Sequence, residues 1–307
     1  MALCVYLVIG FIKQTMKSAL FVLLIICFVN SYAESTVYKY KDHSGNTVFT
    51  DNRPEDVEPE KVTLKSKEKE KKQPRFYVEE NSGNYHLQVE NPLYAPIQIT
   101  VSFNETHPAV HDLVGPDEIR TLATFSHNDF KYRYRWVLGD PGSTPTESMY
   151  SFPVIKSGKY RISQGFKGGF SHSKEPNLYA LDIALPIGTD LVAAREGVVI
   201  SVKDDYHMSG KNDYFLDKAN YVKILHADGT YATYAHILMG SASVEPGEVV
   251  SEGQKIARSG SSGYSRGPHV HFVVRKNSGM KTRSLPFVML DKAKQKIVLE
   301  KGAIVKM

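Results

Sequence analysis

Two histidines separated by one residue, His269 and His271, are the sequence feature with the clearest chemical potential. They follow Gly267-Pro268 and alternate with Val270 and Phe272, a pattern typical of a strand that starts after a turn. Because side chains alternate along a strand, both imidazoles lie on one face, roughly 7 Å apart. Such a pair suits a metal site in which one imidazole binds the ion and the other transfers protons. The alternative is two surface histidines on an edge strand.

Three other segments carry residues that could serve the same site. The segment 168–172 is a glycine-rich loop that ends in His172, and His236 follows a strand-like run. Asp182 shares a strand face with the small residues Ala180 and Ala184, which leave room for a metal beside the carboxylate. Each segment alone is typical of an ordinary polar surface. Together, in this order and within about a hundred residues, they form a pattern specific enough to compare with known families.

The elements that must position these residues are short strands separated by turns that contain glycine. Asp228-Gly229 predicts a hairpin that joins two of them. Before the C-terminal tail there is no helix-period stretch of useful length, which excludes alternating strands and helices. We expect an antiparallel β-sheet catalytic domain over residues 150–290 and a tail over 291–307. Four strands are predicted, over Ala180–Leu185, Gly197–Val202, Tyr221–His226 and Tyr231–His236.

The preceding part of the chain is also predicted to be β-structure, so the fold class is all-β. Alternating segments separated by turn residues predict a small β-sandwich over residues 76–145. A short N-terminal β module over residues 34–64 contains alternation, a turn at Ser44-Gly45-Asn46 and alternation again. Residues 65–75 are dense in Lys and Glu and are predicted to be a charged linker.

Residues 1–33 are predicted to be a signal segment. Lys17 precedes the apolar run Ala19–Val29, and Ser31-Tyr32-Ala33 places small residues at the two positions that signal peptidase reads. We therefore expect a periplasmic or cell-envelope protein, with membrane attachment only if the signal is retained as an anchor. Both cysteines, Cys4 and Cys27, lie in this segment, so the mature chain must bind any metal through His and carboxylates. The net charge of +5 is mild, and we expect no nucleic-acid partner.

Residues 150–290 resemble the lysostaphin-type (LytM-like) zinc endopeptidases, which cut peptidoglycan cross-bridges and stem peptides. The N-terminal module resembles a short module of unknown function in many Gram-negative envelope proteins. The first resemblance includes connecting sequences as well as the candidate site, namely Pro186-Ile187-Gly188-Thr189, Ala193-Ala194-Arg195-Glu196-Gly197, Tyr234-Ala235-His236, Val249-Val250-Ser251-Glu252-Gly253-Gln254, Ser259-Gly260-Ser261-Ser262-Gly263 and Gly267-Pro268-His269-Val270-His271-Phe272.

This resemblance implies a Zn²⁺ ion bound by His172, Asp182 and His271, with His236 and His269 as catalytic histidines. Three protein ligands leave a fourth position for water, the usual arrangement of catalytic zinc. Either catalytic histidine could be the base, and His269 lies beside the ligand His271 on the same strand face.

One spacing departs from the family pattern. The first two ligands are commonly four residues apart, whereas His172 and Asp182 are ten apart, and Leu178 occupies the closer position. The residues between them resemble a loop insertion, and a short loop can bring its two ends together. Glu175, inside this insertion, is the alternative ligand.

The implied function is a peptidoglycan hydrolase, a zinc-dependent metalloendopeptidase that cuts cell-wall peptides with an activated water. The alternative is a non-catalytic, peptidoglycan-binding activator of other cell-wall hydrolases, a role taken by relatives that have lost their ligands. All five site positions are filled here, which favours an enzyme. The expected partners are peptidoglycan and a regulatory envelope protein, and the middle domain is expected to position substrate or block the groove.

Overall fold

The computed structural model describes residues 32–41, 47–50, 53–67, 72–104, 107–146 and 148–307. The signal segment predicted at 1–33 lies outside the described residues except for its last two. Within the described ranges, no helix is long and apolar enough to cross a membrane. Apart from one 3-10 turn at Asp213–Phe215, the regular elements of these ranges are β-strands. The all-β prediction is therefore confirmed.

The N-terminal module is a three-stranded antiparallel sheet with the order β2-β1-β3. Strand β3 continues three residues past the boundary at 64, into the segment predicted as linker. The extended backbone of Lys65, Ser66 and Lys67 pairs with β1, so the linker begins later than its charge predicts. The strands are β1 (Tyr32–Lys41), β2 (Thr47–Thr50) and β3 (Glu60–Lys67).

The middle domain is a β-sandwich of two three-stranded antiparallel sheets, β4-β5-β8 and β7-β6-β9. Alternate side chains of β5 and β6 face each other across one core, in which Leu87, Val89, Ile97 and Ile99 are fully buried. The period-2 alternation that predicted these strands is the pattern that builds this core. The strands are β4 (Arg75–Asn81), β5 (Asn84–Asn91), β6 (Ile97–Phe103), β7 (Val110–Val114), β8 (Glu118–Phe125) and β9 (Tyr132–Leu138).

The C-terminal domain contains fifteen strands, nine of them in one antiparallel sheet. Two short ladders, β10 with β23 and β15 with β20, are parallel. The strands are β10 (Met149–Ser151), β11 (Lys159–Gln164), β12 (Ala180–Ala184), β13 (Asp190–Val192), β14 (Gly197–Lys203), β15 (Ser209–Gly210), β16 (Tyr221–Leu225), β17 (Tyr231–Ala235), β18 (Val249–Val250), β19 (Lys255–Arg258), β20 (Gly263–Tyr264), β21 (His269–Asn277), β22 (Thr282–Leu285), β23 (Val288–Leu290) and β24 (Ile304–Lys306).

The order of the large sheet is β18-β14-β16-β17-β21-β12-β11-β24, with β22 paired to one end of β21. The predicted hairpin between β16 and β17 is present, and Gly229 adopts the positive φ of 76° that its turn requires. One face of the sheet is the core, where Leu181, Ile183 and Val270 are fully buried. The residues between them face the other side, and they include the candidate site.

The C-terminal tail predicted at 291–307 ends as part of this sheet. Strand β24 pairs with β11, and the Ile162 amide donates to the Ala303 carbonyl at 2.9 Å. Val305 is 5% exposed and packs into the domain core. A three-residue strand is too short to show alternation, which is why the sequence predicted only a tail.

The middle domain contacts the C-terminal domain at the β22 end of strand β21. The Gln98 side-chain oxygen accepts hydrogen bonds from Asn277 Nδ2 at 2.9 Å and from the Met280 amide at 2.8 Å. Lys276 Nζ donates to the Ser143 carbonyl at 2.7 Å. Apolar side chains close the same contact, namely Ala95, Ile200 and Tyr231.

Candidate metal centre and groove

Three neighbouring strands place the candidate site on one face at the centre of the sheet. In the register of β12, β21 and β17, Asp182 pairs with His271 and His271 with Ala235, while Ala184 pairs with His269. Directly paired residues point to the same face, so Asp182 and both histidines project together. Because β21 lies between β17 and β12, the alternative of an edge strand is wrong.

His172, Asp182 and His271 form one compact cluster of ligand atoms. Asp182 Oδ1 lies 2.9 Å from His271 Nδ1 and 3.2 Å from His172 Nε2, and the two ring nitrogens are 3.3 Å apart. All three residues are buried, and their ligand atoms lie within 4.8 Å of one another. The structure thus brings together the three residues predicted as metal ligands.

The loop between residues 165 and 180 delivers His172 to this cluster despite the ten-residue spacing. His172 Nδ1 lies 2.9 Å from the Gly165 carbonyl, and the Ala180 amide returns to the Asn177 carbonyl at 3.0 Å. The fallback ligand Glu175 is turned away, since its carboxylate accepts bonds from the Ser284 amide and hydroxyl, both at 2.8 Å. The structure places Glu175 outside the cluster.

The hydrogen bonding of the cluster fits a cation. The Gly165 carbonyl can only accept, so Nδ1 of His172 carries the hydrogen and the neutral ring presents a lone pair at Nε2. That lone pair faces the lone pairs of the Asp182 carboxylate and, at 3.3 Å, His271 Nδ1. Two nitrogens and a carboxylate oxygen at these distances need a shared proton or a metal ion between them. Nitrogen and oxygen donors in this combination are ligands that zinc accepts.

His236 and His269 lie beside the cluster with their rings 4.5 Å apart between centroids. His236 Nδ1 donates to the Ser262 carbonyl at 2.6 Å, and His269 Nδ1 donates to the Gly267 carbonyl at 2.8 Å. Each Nε2 is therefore left for the groove, and that of His269 lies 3.8 Å from Asp182 Oδ1. His236 has a φ of +64°, a conformation that costs energy for a residue with a side chain and recurs at functional sites.

Burial shapes the protonation of the cluster. Desolvation, followed by repulsion from His269 and His271, lowers the pKa of His236 to about 3. Desolvation also lowers the pKa of His271. For Asp182, desolvation raises the pKa, but the His172 and His271 imidazoles at hydrogen-bond distance from Oδ1 outweigh it and hold the pKa well below its usual range. These directions favour an ionised Asp182 carboxylate and a neutral His271 imidazole, the protonation states that bind metals.

Sequence reasoning missed the groups that orient these side chains. Gln164 Nε2 donates to Asp182 Oδ2 at 3.2 Å and to Ser171 Oγ at 2.7 Å. Gln164 lies outside the segments that carried the prediction, four residues before the first glycine of the glycine-rich loop. The carbonyls of Gly165, Ser262 and Gly267 leave no sequence signal, because every residue has one.

The cluster lies in an open groove of about 830 Å³. Its lining comes from the C-terminal domain, from Arg161 to Lys301, and no described residue of the middle domain takes part. Hence the expected blocking or positioning role has no support from the groove itself, since the middle domain contacts the far end of β21.

Comparison with known families agrees with the fold and the cluster. Residues 177–282 match the model of peptidase family M23, and residues 24–75 match a domain of unknown function, DUF4124. The chain thus contains an M23 peptidase domain preceded by a DUF4124 module, as the resemblances predicted. The M23 match begins five residues after His172, so His172 lies outside the matched segment. Its loop nevertheless places the imidazole at the cluster.

Curated relatives include peptidases of the cell wall. The chain is 27% identical over 172 residues to the peptidoglycan DD-endopeptidase ShyA of Vibrio cholerae, covering 52% of this chain and 36% of that protein. It is 32% identical over 137 residues to an uncharacterized metalloprotease of Buchnera aphidicola, covering 43% of this chain and 32% of that protein. It is 28% identical over 119 residues to the glycyl-glycine endopeptidase ALE-1 of Staphylococcus capitis, covering 37% of this chain and 30% of that protein. The chain spans about a third of these relatives.

A solved structure with sequence similarity is the catalytic domain of the prophage-encoded M23 protein EnpA from Enterococcus faecalis. It is 29% identical, covers 44% of this chain and 92% of its own, and has a TM-score of 0.31.

Proposed function

We propose that the protein is a zinc-dependent endopeptidase that hydrolyses peptides of peptidoglycan. The observation that carries the proposal is the convergence of His172 Nε2, Asp182 Oδ1 and His271 Nδ1 inside an open groove. Two more histidines present unbonded Nε2 atoms to the same groove. This set supplies three ligands, room for a substrate and two proton-transfer groups, which a hydrolytic metal site requires.

Zinc, when bound, would lower the pKa of a water to about 7 and polarise the scissile carbonyl. We assign proton acceptance to His269, because its Nε2 faces the groove 3.8 Å from Asp182 Oδ1 and its ring shares a strand face with His271. His236 is more deeply buried. We assign it the stabilisation of charge on the carbonyl oxygen or the protonation of the leaving amine. The Ser262 and Gly267 carbonyls fix both rings for these roles.

The choice of peptidoglycan rests on the family and on the relatives named for it. We propose that the cleaved bond is the D-alanyl–diaminopimelate cross-link. The reason is the Gram-negative setting that the N-terminal module suggests. We also propose export to the periplasm or cell envelope, supported by the signal pattern of residues 1–33. A regulatory envelope protein as partner stays a prediction.

Purified full mature chain incubated with sacculi tests this function. Mass spectrometry of the released muropeptides is expected to show peptide cleavage that a chelator abolishes and added zinc restores. Absence of chelator-sensitive release over a range of pH values would contradict the proposal. A His271→Ala protein that still supports normal growth of cells would instead favour the non-catalytic activator.

A further inference from the structure

The charges that line the groove are strongly unbalanced. Among the described residues, one acidic side chain lines it apart from the cluster carboxylate Asp182; this is Asp217, which lies 3.4 Å from Lys218 Nζ. The basic side chains of the lining number five and are Arg161, Lys223, Arg266, Arg275 and Lys301. Closely spaced cations beside one low-dielectric wall raise the local concentration of anions. The groove is thus suited to a ligand that carries negative charge.

Arg275 is hydrogen-bonded to other groups of the protein, whereas Arg161 and Lys301 are open to a ligand. Arg275 donates to the Pro176 carbonyl at 2.9 Å and to Thr233 Oγ1 at 3.3 Å. Arg161 and Lys301 are exposed, and within the described ranges no carboxylate lies within ion-pair distance of either. Nothing in those ranges therefore neutralises the two cations.

The backbone holds Arg161 and Lys301 beside the metal cluster. Arg161 lies in register with Ala184, which lies in register with His269, so the guanidinium extends from the same sheet face as the catalytic histidine. The Gly302 amide, next to Lys301, donates to the Ile162 carbonyl, next to Arg161, at 2.8 Å. The two cations form one site on the β11 side of the groove.

A third exposed cation is oriented by aromatic rings. The guanidinium of Arg266 lies 3.6 Å from the centroid of the Phe170 ring, and Phe170 stacks on Tyr264 with 5.4 Å between centroids. The stacked guanidinium keeps its N–H groups for a planar partner such as a carboxylate. Phe170 and Arg266 thereby form a wall of the groove with a fixed positive charge.

Lys223 lines the opposite side. It lies on β16, four strands away from β11 in the sheet, or about 19 Å at the usual strand spacing. An extended peptide covers that distance with about six residues. One peptide can therefore reach cations on both sides of the metal cluster.

From this arrangement we propose that the groove selects anionic peptides, and that Arg161 and Lys301 bind a substrate carboxylate beside the cluster. The inference rests on the proposed function, because a peptide substrate is assumed. It adds what that function leaves open, namely that a free carboxylate near the cleaved bond determines specificity. Peptides without carboxylates, such as an oligoglycine with an amidated C-terminus, are then poor ligands.

Binding to the chelator-treated full chain tests the proposal without cleavage. The probes are a fluorescent cross-linked muropeptide dimer with free carboxylates, the same dimer with its carboxylates amidated, and pentaglycine amide. We expect the free acid to bind about 3- to 10-fold more tightly than the amidated dimer, with the preference falling as salt rises. Pentaglycine amide is expected to bind more weakly than either.

Charge-removing variants assign the preference to residues. Arg161→Gln and Lys301→Gln are each expected to weaken binding of the free acid by about 1.5- to 5-fold. Their effect on the amidated dimer is expected to stay below about 2-fold. Lys296→Gln is the matched control, since Lys296 is exposed on the same C-terminal segment but does not line the groove.

Cleavage by the zinc-loaded chain separates the two proposals. Equal binding of the acid and amidated dimers, with both cut, would overturn the inference and leave the proposed function standing. A preference for the acid that depends on Arg161 and Lys301, with neither dimer cut, would support the inference and contradict the function. A preference that no groove variant changes would overturn the assignment to these residues.

Discussion

Strands β17 and β21 carry two different environments at their two ends. At one end, His269 and His271 of β21 and His236 after β17 aim ring nitrogens into an open groove. At the other end, Tyr231 of β17 is 4% exposed and Asn277 of β21 is fully buried, where both contact the middle domain. The same sheet therefore supports a polar site and a closed domain contact.

The difference lies in where the polar groups find their partners. At the contact end, Asn277 Nδ2 donates to Gln98 and to the Gly139 carbonyl, so other protein groups satisfy this nitrogen, whereas Asn277 Oδ1 has no partner among the described residues. At the site end, Nδ1 of His172, His236 and His269 each bond a carbonyl, while the opposite nitrogens face the cluster or the groove. The site end is thus built for an added ligand, and the contact end for stability.

The largest expected effect is at the site end. His271→Ala removes a proposed metal ligand, so turnover should fall by more than the 10²- to 10⁴-fold that one proton-transfer residue supplies, about 10⁴-fold or more. Peptide release and bound zinc per chain are measured together. His111→Ala, an exposed histidine of the middle domain, is the control and should change neither. Unchanged turnover in His271→Ala would contradict the assignment of the reactive site to this end of the sheet.

At the contact end, Ile200→Ala should destabilise the fold without changing the site. Ile200 is 3% exposed and packs with Ala95 and Tyr231, so its truncation leaves a cavity that costs about 2–5 kcal/mol of unfolding free energy. Denaturant unfolding measures the loss. Val249→Ala is the control, because Val249 is 73% exposed. Loss of turnover per folded molecule would show that the two ends are coupled.

A buried histidine away from the groove should make stability depend on pH. Burial, with the positive charge of Arg195 nearby, lowers the pKa of His226 to about 4, although its bond to the Glu196 carbonyl opposes this. The folded pKa is below the unfolded value of about 6.5, so the unfolded chain takes up the proton first.

Stability from His226 is therefore present above about pH 6.5 and is lost as pH falls towards 4, by about 3 kcal/mol in total. Unfolding free energies measured between pH 7 and pH 4 test this. In His226→Gln, the unfolding free energy should decrease less steeply with falling pH than in the native chain. An equal slope in both proteins would remove His226 as its cause.

The smallest expected effect comes from a pair of matched glutamines, one at each end. Gln164→Leu removes a bond to the Asp182 carboxylate, and zinc affinity should fall about 10- to 100-fold. Gln98→Leu leaves the Asn277 and Met280 donors without their acceptor, which should cost about 1–3 kcal/mol of stability.

Competition with a zinc chelator and denaturant unfolding are run on both glutamine variants. Each variant should move one measurement only. Equal loss of zinc affinity in both proteins would contradict the division of the sheet into two ends.

The strand that carries the histidine pair was predictable from its sequence. Alternation of His269 and His271 with Val270 and Phe272 specifies both the strand and its two faces, because side chains on a strand have a period of two. The burial of Leu181 and Ile183 followed from the same rule, and the Asp228-Gly229 turn followed from its residue types. All three residues of the candidate metal cluster were also identified from the sequence.

Contacts between distant segments were not predictable. The path of residues 173–177, which returns His172 to Asp182, depends on bonds such as Glu175 to Ser284 that have no local pattern. The pairing of β24 with β11 brings Lys301 to the groove from 140 positions further along the chain than Arg161. Backbone carbonyls that fix the imidazoles are likewise invisible in a sequence.

Anomalous diffraction at the zinc absorption edge tests the central claim most directly. Crystals of the full chain grown with zinc should show one strong peak at about 2.0–2.2 Å from His172 Nε2, Asp182 Oδ1 and His271 Nδ1. A peak elsewhere, or no peak between these three atoms at saturating zinc, would contradict the account.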